Sequence, residues 1–235
     1  IFSRSSRGPV RDGRLKPEIA GIGAFITSAG PYGSYYFENT GTSMASPAIA
    51  GGMALLIERY RQLDIIPPTG ENPKNGLMKV LVCNSGDDYG INGPDYSFGF
   101  GVANFRRAVD MLENSRYVVG TISPGPAQTI NISVPAGTAR LKVMLYWNDP
   151  PAAAVSSQTL INNLDLEVVT PAPATVLPLI LDTVPANIKN AAVNGVDNIN
   201  NIEQVVIDNP AAGSYTIRII PTNIAVNPSQ EYFIA

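Results

Sequence analysis

The pattern of apolar and polar positions changes character once along the chain, near residue 116. Before that point, glycine-rich turns alternate with helical periods. "MASPAIAGGMALLIERYRQL" places apolar residues at Met44, Ala48, Ala54, Leu55 and Leu63 with many small residues between them. Its first part carries few charges on any side, which predicts a buried helix, while "ERYRQ" at its end meets solvent. Pro47 is tolerated near the first turn, where backbone N–H groups have no intrahelical partner. "NPKNGLMKVLVCNSG" predicts a second helix, with Pro73 at its start and Gly86 at its stop. A glycine-rich turn in "GFGVANFRRAVDMLEN" opens a third, and "RRAVDMLENSR" reads as its solvated side.

After residue 116 the helical period gives way to short alternating runs bounded by Pro, Gly and Asn. They are "YVVGTIS", "AQTINISV", "ARLKVMLYW", "NLDLEVV", "TVLPLIL", "IEQVVID", "SYTIRII" and "EYFIA". In "LKVMLYW", Leu141, Val143, Leu145 and Trp147 point one way and Lys142, Met144 and Tyr146 the other. That is the period of a half-buried strand. Runs of this number and spacing predict an all-β sandwich of jelly-roll type for residues 117–235, after a region of turns and helices at 1–116. Trp147 at a strand end reads as core or edge packing, and Cys83 inside an apolar helical run as a small buried hydrophobe.

Composition narrows the possible chemistry. A length of 235 residues suits two domains, and 45% hydrophobic with 15% charged residues suffices for two cores. The net charge of −3 supplies no basic face for a nucleic-acid backbone. No apolar run approaches the roughly 18–20 residues that span a bilayer. The single cysteine has no internal disulfide partner, and no Cys/His cluster exists for zinc. "IFSRSSRGPV" has neither an initiating Met nor a signal-peptide layout, so the chain is expected to begin inside a domain.

One stretch carries candidate catalytic chemistry. In "ENTGTSMASPAIAGG", Gly41 permits a sharp turn and Thr42 or Ser43 is placed to cap the helix that follows. A serine there presents its Oγ at the positive end of the helix, beside N–H groups able to receive a developing oxyanion. N-cap serines are common, so local physics alone favours plain capping. The chain also contains no histidine, so a nucleophilic Ser43 has no imidazole base within these residues.

"GTSMASPAIAGG" closely resembles the serine segment of the subtilisin-like serine peptidases, the subtilases. "SSRGPVRDGRLKPEIAGIG" resembles the segment leading toward that nucleophile, and "SFGFGVANFRRAV" the family's G-x-G-x-V-N stretch. Three blocks in this order over residues 1–113 make the resemblance specific. It implies an α/β fold for residues 1–116, as a partial parallel-sheet catalytic domain, and a Ser-His-Asp mechanism. Ser43 is then nucleophile and backbone oxyanion donor, flanked by Thr42 and Met44. In the subtilases the order is Asp, His, Ser, which puts both partners, and the oxyanion asparagine, before residue 1. Asp12 and Asp64 sit in no matching motif. Ala20-Gly21-Ile22-Gly23 replaces the family's usual Ala-Pro-Gly turn, and its two glycines are expected to supply the unusual backbone there.

The resemblance therefore implies part of a secreted, bacterial-type endopeptidase acting on proteins or peptides, inactive without the missing N-terminal part of its catalytic domain. The alternative is a non-catalytic peptidase remnant carrying a binding or structural sandwich. Residues 117–235 resemble the C-terminal β-sandwich of some secreted bacterial subtilases, related in layout to the P-domains of kexin-like proteases. Oxygen-bearing side chains cluster there, and Asp149, Asn163, Asp165, Asn201 and Glu203 are candidate ligands for calcium. Some related modules bind calcium. Asx-turns in loops account for the same composition.

Overall fold

The computed structural model describes residues 1–30, 32–33, 35–63 and 72–235. Asp64 lies outside the described residues. A short hairpin, β1 (Ile26–Ala29) and β2 (Tyr36–Asn39), precedes three helices: α1 (Thr42–Gln62), α2 (Asn75–Ser85) and α3 (Phe105–Glu113). Ten strands follow among the described residues. These are β3 (Val118–Ile122), β4 (Gln128–Val134), β5 (Arg140–Trp147), β6 (Asn162–Val169), β7 (Thr175–Val176), β8 (Leu179–Ile180), β9 (Val193–Asn194), β10 (Ile202–Asp208) and β11 (Gly213–Ile224), with β12 (Gln230–Ile234) as a tenth closing the chain.

The apolar runs of the second half all become strands. "TVLPLIL" is divided into β7 and β8 around Pro178, which has no N–H to give a ladder. Two four-stranded antiparallel sheets result, in the orders β10–β5–β12–β3 and β4–β11–β6–β7. Val143, Leu145 and Trp147 from the first sheet and Leu164, Leu166, Ile217 and Ile219 from the second share one core. Trp147 is fully enclosed, and its indole N–H donates to the Asn162 carbonyl at 2.9 Å. This is how a large aromatic with one polar atom is buried without loss.

The half-buried reading of β5 needs correction, because its other face is covered too. Met144 and Tyr146, with Phe233 of β12, pack under α2 in a second core with Leu77, Leu81 and Leu112. Gly76 permits this approach, since a Cβ there would stand 2.2 Å from the Phe233 ring. A sheet covered by a helix on one side and a sheet on the other must be apolar on both faces. The third helix is likewise less solvated than its charges suggest: Ala108, Met111 and Leu112 are buried. Asn104 caps it, accepting the Arg107 N–H at 3.0 Å.

Two expectations for the first half differ from the structure. Helix α1 has the predicted span, but Leu56 is its one buried residue, and Leu55 is 65% exposed. The run without charges faces solvent because nothing among the described residues covers it. The parallel sheet is also absent among the described residues. β1 and β2 are joined by a short hairpin, which allows only antiparallel pairing. A lone bridge, Ala20 to Val102, runs parallel.

Candidate functional site

The segments "KPEIAGIG" and "GFGVAN", far apart in the sequence, lie side by side. Phe100 N–H donates to Glu18 O, Ala20 N–H to Gly101 O, and Ala103 N–H to Ala20 O, each at 2.9 Å. Gly101 has φ +118°, and a Cβ there would collide with the Asp87 carbonyl at 2.1 Å, so glycine is required. Beneath this strap Glu18 accepts from Lys16 and Lys79 at 2.8 Å each. Burial pushes the Glu18 carboxyl up, but the two ammonium groups outweigh it and hold it below its ordinary value.

From this strap the chain runs along the start of α1. Gly21 and Gly23 keep ordinary backbone angles; neither is among the glycines with positive φ. Their role is closeness instead. A Cβ on Gly21 would stand 2.9 Å from Ile49, and one on Gly23 2.5 Å from the Gly41 carbonyl. The expected unusual backbone is thus replaced by tight packing against the helix tip. Gly41 is itself extended, with φ 167°, and its N–H donates to Gly23 O at 2.8 Å. The chain still bends at Gly41 as it enters the helix, but through this extended conformation.

Gly41, and not Thr42 or Ser43, is the N-cap of α1, with no side-chain cap. Its carbonyl receives the N–H groups of Met44 (3.0 Å) and Ala45 (3.2 Å). Thr42 and Ser43 occupy the first two helical positions, whose N–H groups have no intrahelical acceptor. Both side chains are exposed and Met44 is half-buried. No acidic residue stands in this turn to compete for the positive helix end. The tip therefore presents a hydroxyl and free backbone donors together. It presents no imidazole.

The five oxygen-bearing candidates divide into two groups. Asp149 is committed to the backbone, accepting the N–H groups of Ile161 (2.8 Å) and Asn162 (2.7 Å), with burial pushing its carboxyl up. Asn201 pins the end of β5, donating from Nδ2 to the Trp147 carbonyl at 2.7 Å. Asn163, Asp165 and Glu203 differ from these. Each has a buried oxygen without a hydrogen-bond partner among the described residues: Asn163 Oδ1, Asp165 Oδ1 and Glu203 Oε1. Glu203 reaches from β10 to β6, where its other oxygen accepts the Leu166 N–H at 2.8 Å.

Charge accumulates around these oxygens. Burial pushes Glu203 well above the usual carboxylate range, and the nearby Asp197 and Asp165 add to it. Asp165 is raised by burial, opposed by a hydrogen bond from the Thr222 hydroxyl. Asn163 donates to Asn198 Oδ1 at 3.1 Å, next to the buried Asp197. No group of three His, Cys, Asp or Glu side chains among the described residues is arranged to hold a metal ion. An oxygen site here thus needs the Asn163 amide as well as the carboxylates.

Pattern reading missed Lys142, which it placed on an open strand face. Its ammonium donates to the carbonyls of Asn84 (3.3 Å) and Gly86 (3.0 Å) at the C-terminus of α2. Arg107 donates to Ser85 O at 2.7 Å beside it. Cations at a helix C-terminus satisfy its free carbonyls. No local signal marks a lysine whose acceptors lie almost sixty residues away.

Residues 1–101 match the model of the subtilase family. The chain is 26% identical over 263 aligned residues to the serine protease/ABC transporter B family protein tagA of Dictyostelium discoideum, covering 98% of this chain and 15% of that protein. It is 31% identical to the serine protease AprX of Bacillus subtilis, over 46% of this chain and 25% of AprX. It is 29% identical to the human membrane-bound transcription factor site-1 protease, over 51% of this chain and 11% of that protein. The chain thus spans a quarter or less of these relatives. No helix among the described residues is long and apolar enough to cross a membrane.

Proposed function

Because residues 1–101 belong to the subtilase family, we propose that this chain is the nucleophile-bearing part of a serine endopeptidase that cleaves protein or peptide substrates through an acyl-serine intermediate. Ser43 attacks the scissile carbonyl, and its own N–H is one donor to the resulting oxyanion, with Thr42 and Met44 shaping the surface beside it. The observation that carries this reading is Ser43 exposed on the first turn of α1, beside N–H groups without an intrahelical acceptor and with no acidic residue in that turn. The general base, the group orienting it and the second oxyanion donor come from polypeptide outside these 235 residues, which hold no histidine. By itself the chain is inactive, because a serine hydroxyl without its base loses about 10⁶ in kcat.

The test is to assay the longer parent protein against a casein or peptide substrate, with and without Ser43→Ala. Hydrolysis that disappears in the variant supports the endopeptidase. Hydrolysis that persists in the variant overturns Ser43 as the nucleophile, and a parent that cleaves nothing favours the alternative of a non-catalytic remnant. We place the parent outside the cell by its family likeness. We read residues 117–235 as a separate jelly-roll sandwich that supports the catalytic part, with the boundary at 116/117.

Calcium fits the second half on one local ground: three buried oxygens that no donor reaches, on Asn163, Asp165 and Glu203. Calcium accepts six to eight oxygens from carboxylates, amides, carbonyls and water. Those three residues would hold the ion, and its charge would keep Glu203 ionised and brace β10 against β6. Titration calorimetry of the chain should show calcium uptake that Asp165→Ala removes. Absence of heat at millimolar calcium overturns it.

A further inference from the structure

The chain contains three Asn-Gly pairs: Asn75-Gly76, Asn92-Gly93 and Asn194-Gly195. Each brings a possible reaction, because the backbone nitrogen after an asparagine can attack that asparagine's own carboxamide carbon. Glycine in second place removes the side chain that would obstruct the attack. The fold then decides the outcome. The carboxamide must be able to turn back along the chain, and the attacking nitrogen must give up its proton.

Two of the pairs are held against it. Asn75 is the first residue of α2, and its Oδ1 accepts from the Gly76 N–H at 2.7 Å and from Asn148 Nδ2 at 3.1 Å. Gly76 is buried, with room for no Cβ beside the Phe233 ring. Ring closure there must unwind the first turn of α2 against a packed core. Asn194 belongs to β9. Its Nδ2 donates to Leu177 O at 2.6 Å, and the Gly195 N–H donates to Pro178 O at 2.9 Å. Both reacting groups are thus tied to amide carbonyls, which are far weaker bases than a carboxylate.

Asn92 differs in both respects. It lies in a bend between two glycines of positive φ, Gly90 at +91° and Gly93 at +84°, with its side chain exposed. No hydrogen bond among the described residues holds its carboxamide. The Gly93 N–H donates at 2.8 Å to Oδ2 of the half-buried Asp88, which is a carboxylate. Asp95 secures the bend from its other end, accepting the N–H groups of Ile91 (3.1 Å), Ser97 (2.7 Å) and Phe98 (2.8 Å). The backbone of the bend is therefore pinned, its carboxamide is loose, and its attacking nitrogen already points at a base.

We propose that Asn92 is a self-modification site, which converts to aspartate and isoaspartate with Asp88 as general base. The Gly93 nitrogen bonds to Asn92 Cγ as its proton passes to Asp88. The Cγ–Nδ2 bond then breaks, and ammonia leaves carrying that proton. The product is a five-membered cyclic imide, which solvent water opens. Cleavage of the new bond to Cγ gives aspartate. Cleavage between the nitrogen and the main-chain carbonyl carbon gives isoaspartate, whose backbone runs through Cβ and Cγ. Either product sets a carboxylate beside Asp88, and isoaspartate also lengthens the backbone between Ile91 and Asp95. The reaction does not depend on whether Ser43 is catalytic.

The test is to age the 235-residue chain in warm, mildly alkaline buffer and map its peptides by mass, with an isoaspartyl methyltransferase marking isoaspartate. In the folded chain Asn92 should convert about tenfold or more faster than Asn75 and Asn194, which react only after local opening. In urea that lead should vanish, because the fold is its source. Asp88→Asn, with Trp147 fluorescence showing it folded, should slow Asn92 by about tenfold or more. The comparison of the three pairs needs no variant and stands even if Asp88→Asn does not fold. Conversion of Asn75 or Asn194 ahead of Asn92 overturns the proposal, as does a lead that persists in urea. A folded Asp88→Asn that reacts as fast or faster also overturns it, since the carboxylate would then be guarding the amide.

Discussion

Strand β5 and helix α1 both carry long apolar runs, and they meet opposite environments. Five consecutive residues of β5, Val143 to Trp147, are buried, the odd ones against the second sheet and the even ones against α2. Helix α1 is more than twice as long and buries Leu56 alone. Poverty in charge thus marks what a segment requires, and whether the requirement is met depends on what lies beside it. The strand finds both its covers within these residues. On the proposed reading, the helix's cover belongs to the same polypeptide that brings the base to Ser43.

The contrast breaks most clearly on function. In the parent protein, Ser43→Ala should lower kcat by about 10⁶, while the melting temperature barely moves because the side chain is exposed. A large loss of stability would make Ser43 a structural cap instead. The buried strand should respond in the reverse sense. Trp147→Ala empties a fully enclosed site and should cost about 3–5 kcal/mol in urea unfolding.

Neighbouring leucines in α1 sharpen the comparison within one helix. Leu56→Ala should cost about 2–5 kcal/mol, and Leu55→Ala less than about 0.5 kcal/mol in this chain. If the exposed run is covered in the parent, Leu55→Ala becomes costly there. Equal effects in both proteins would remove the idea of a missing cover.

The smallest expected effect is a pH slope. Glu203 is raised in the folded state, so the fold holds more protons than the unfolded chain above the ordinary glutamate range. Its stabilisation is complete below that range and is lost as pH rises toward the folded value. In metal-free buffer, stability should therefore fall as pH increases from about 4.5, and Glu203→Gln should flatten the slope. Calcium at the site would reverse the preference by favouring the carboxylate. An unchanged slope in the variant would show that Glu203 is not its source.

Much of the fold was legible because alternation is a local signal. All eight apolar runs after residue 116 are found in strands, and α2 ends at Gly86 as its sequence suggests. Position within the fold was less legible. Nothing in "LKVMLYW" distinguishes a strand covered on one side from one covered on both. The β1–β2 hairpin was missed because its aromatic residues Tyr36 and Phe37 are exposed and give no alternation. Ser43 was readable as a candidate because its motif is contiguous, and the structure places it exposed on the first turn of α1. The division of the five oxygen-bearing candidates was not, because Asp149 spends its oxygens on backbone N–H groups that only the folded chain brings near.

The most direct test of the central claim is covalent labelling by a serine-directed fluorophosphonate, read by intact mass and peptide mapping. The account predicts no label on the 235-residue chain, one label per molecule on the active parent, and loss of that label in Ser43→Ala. Label on Ser43 in the 235-residue chain, or none on a parent that hydrolyses peptides, would contradict it.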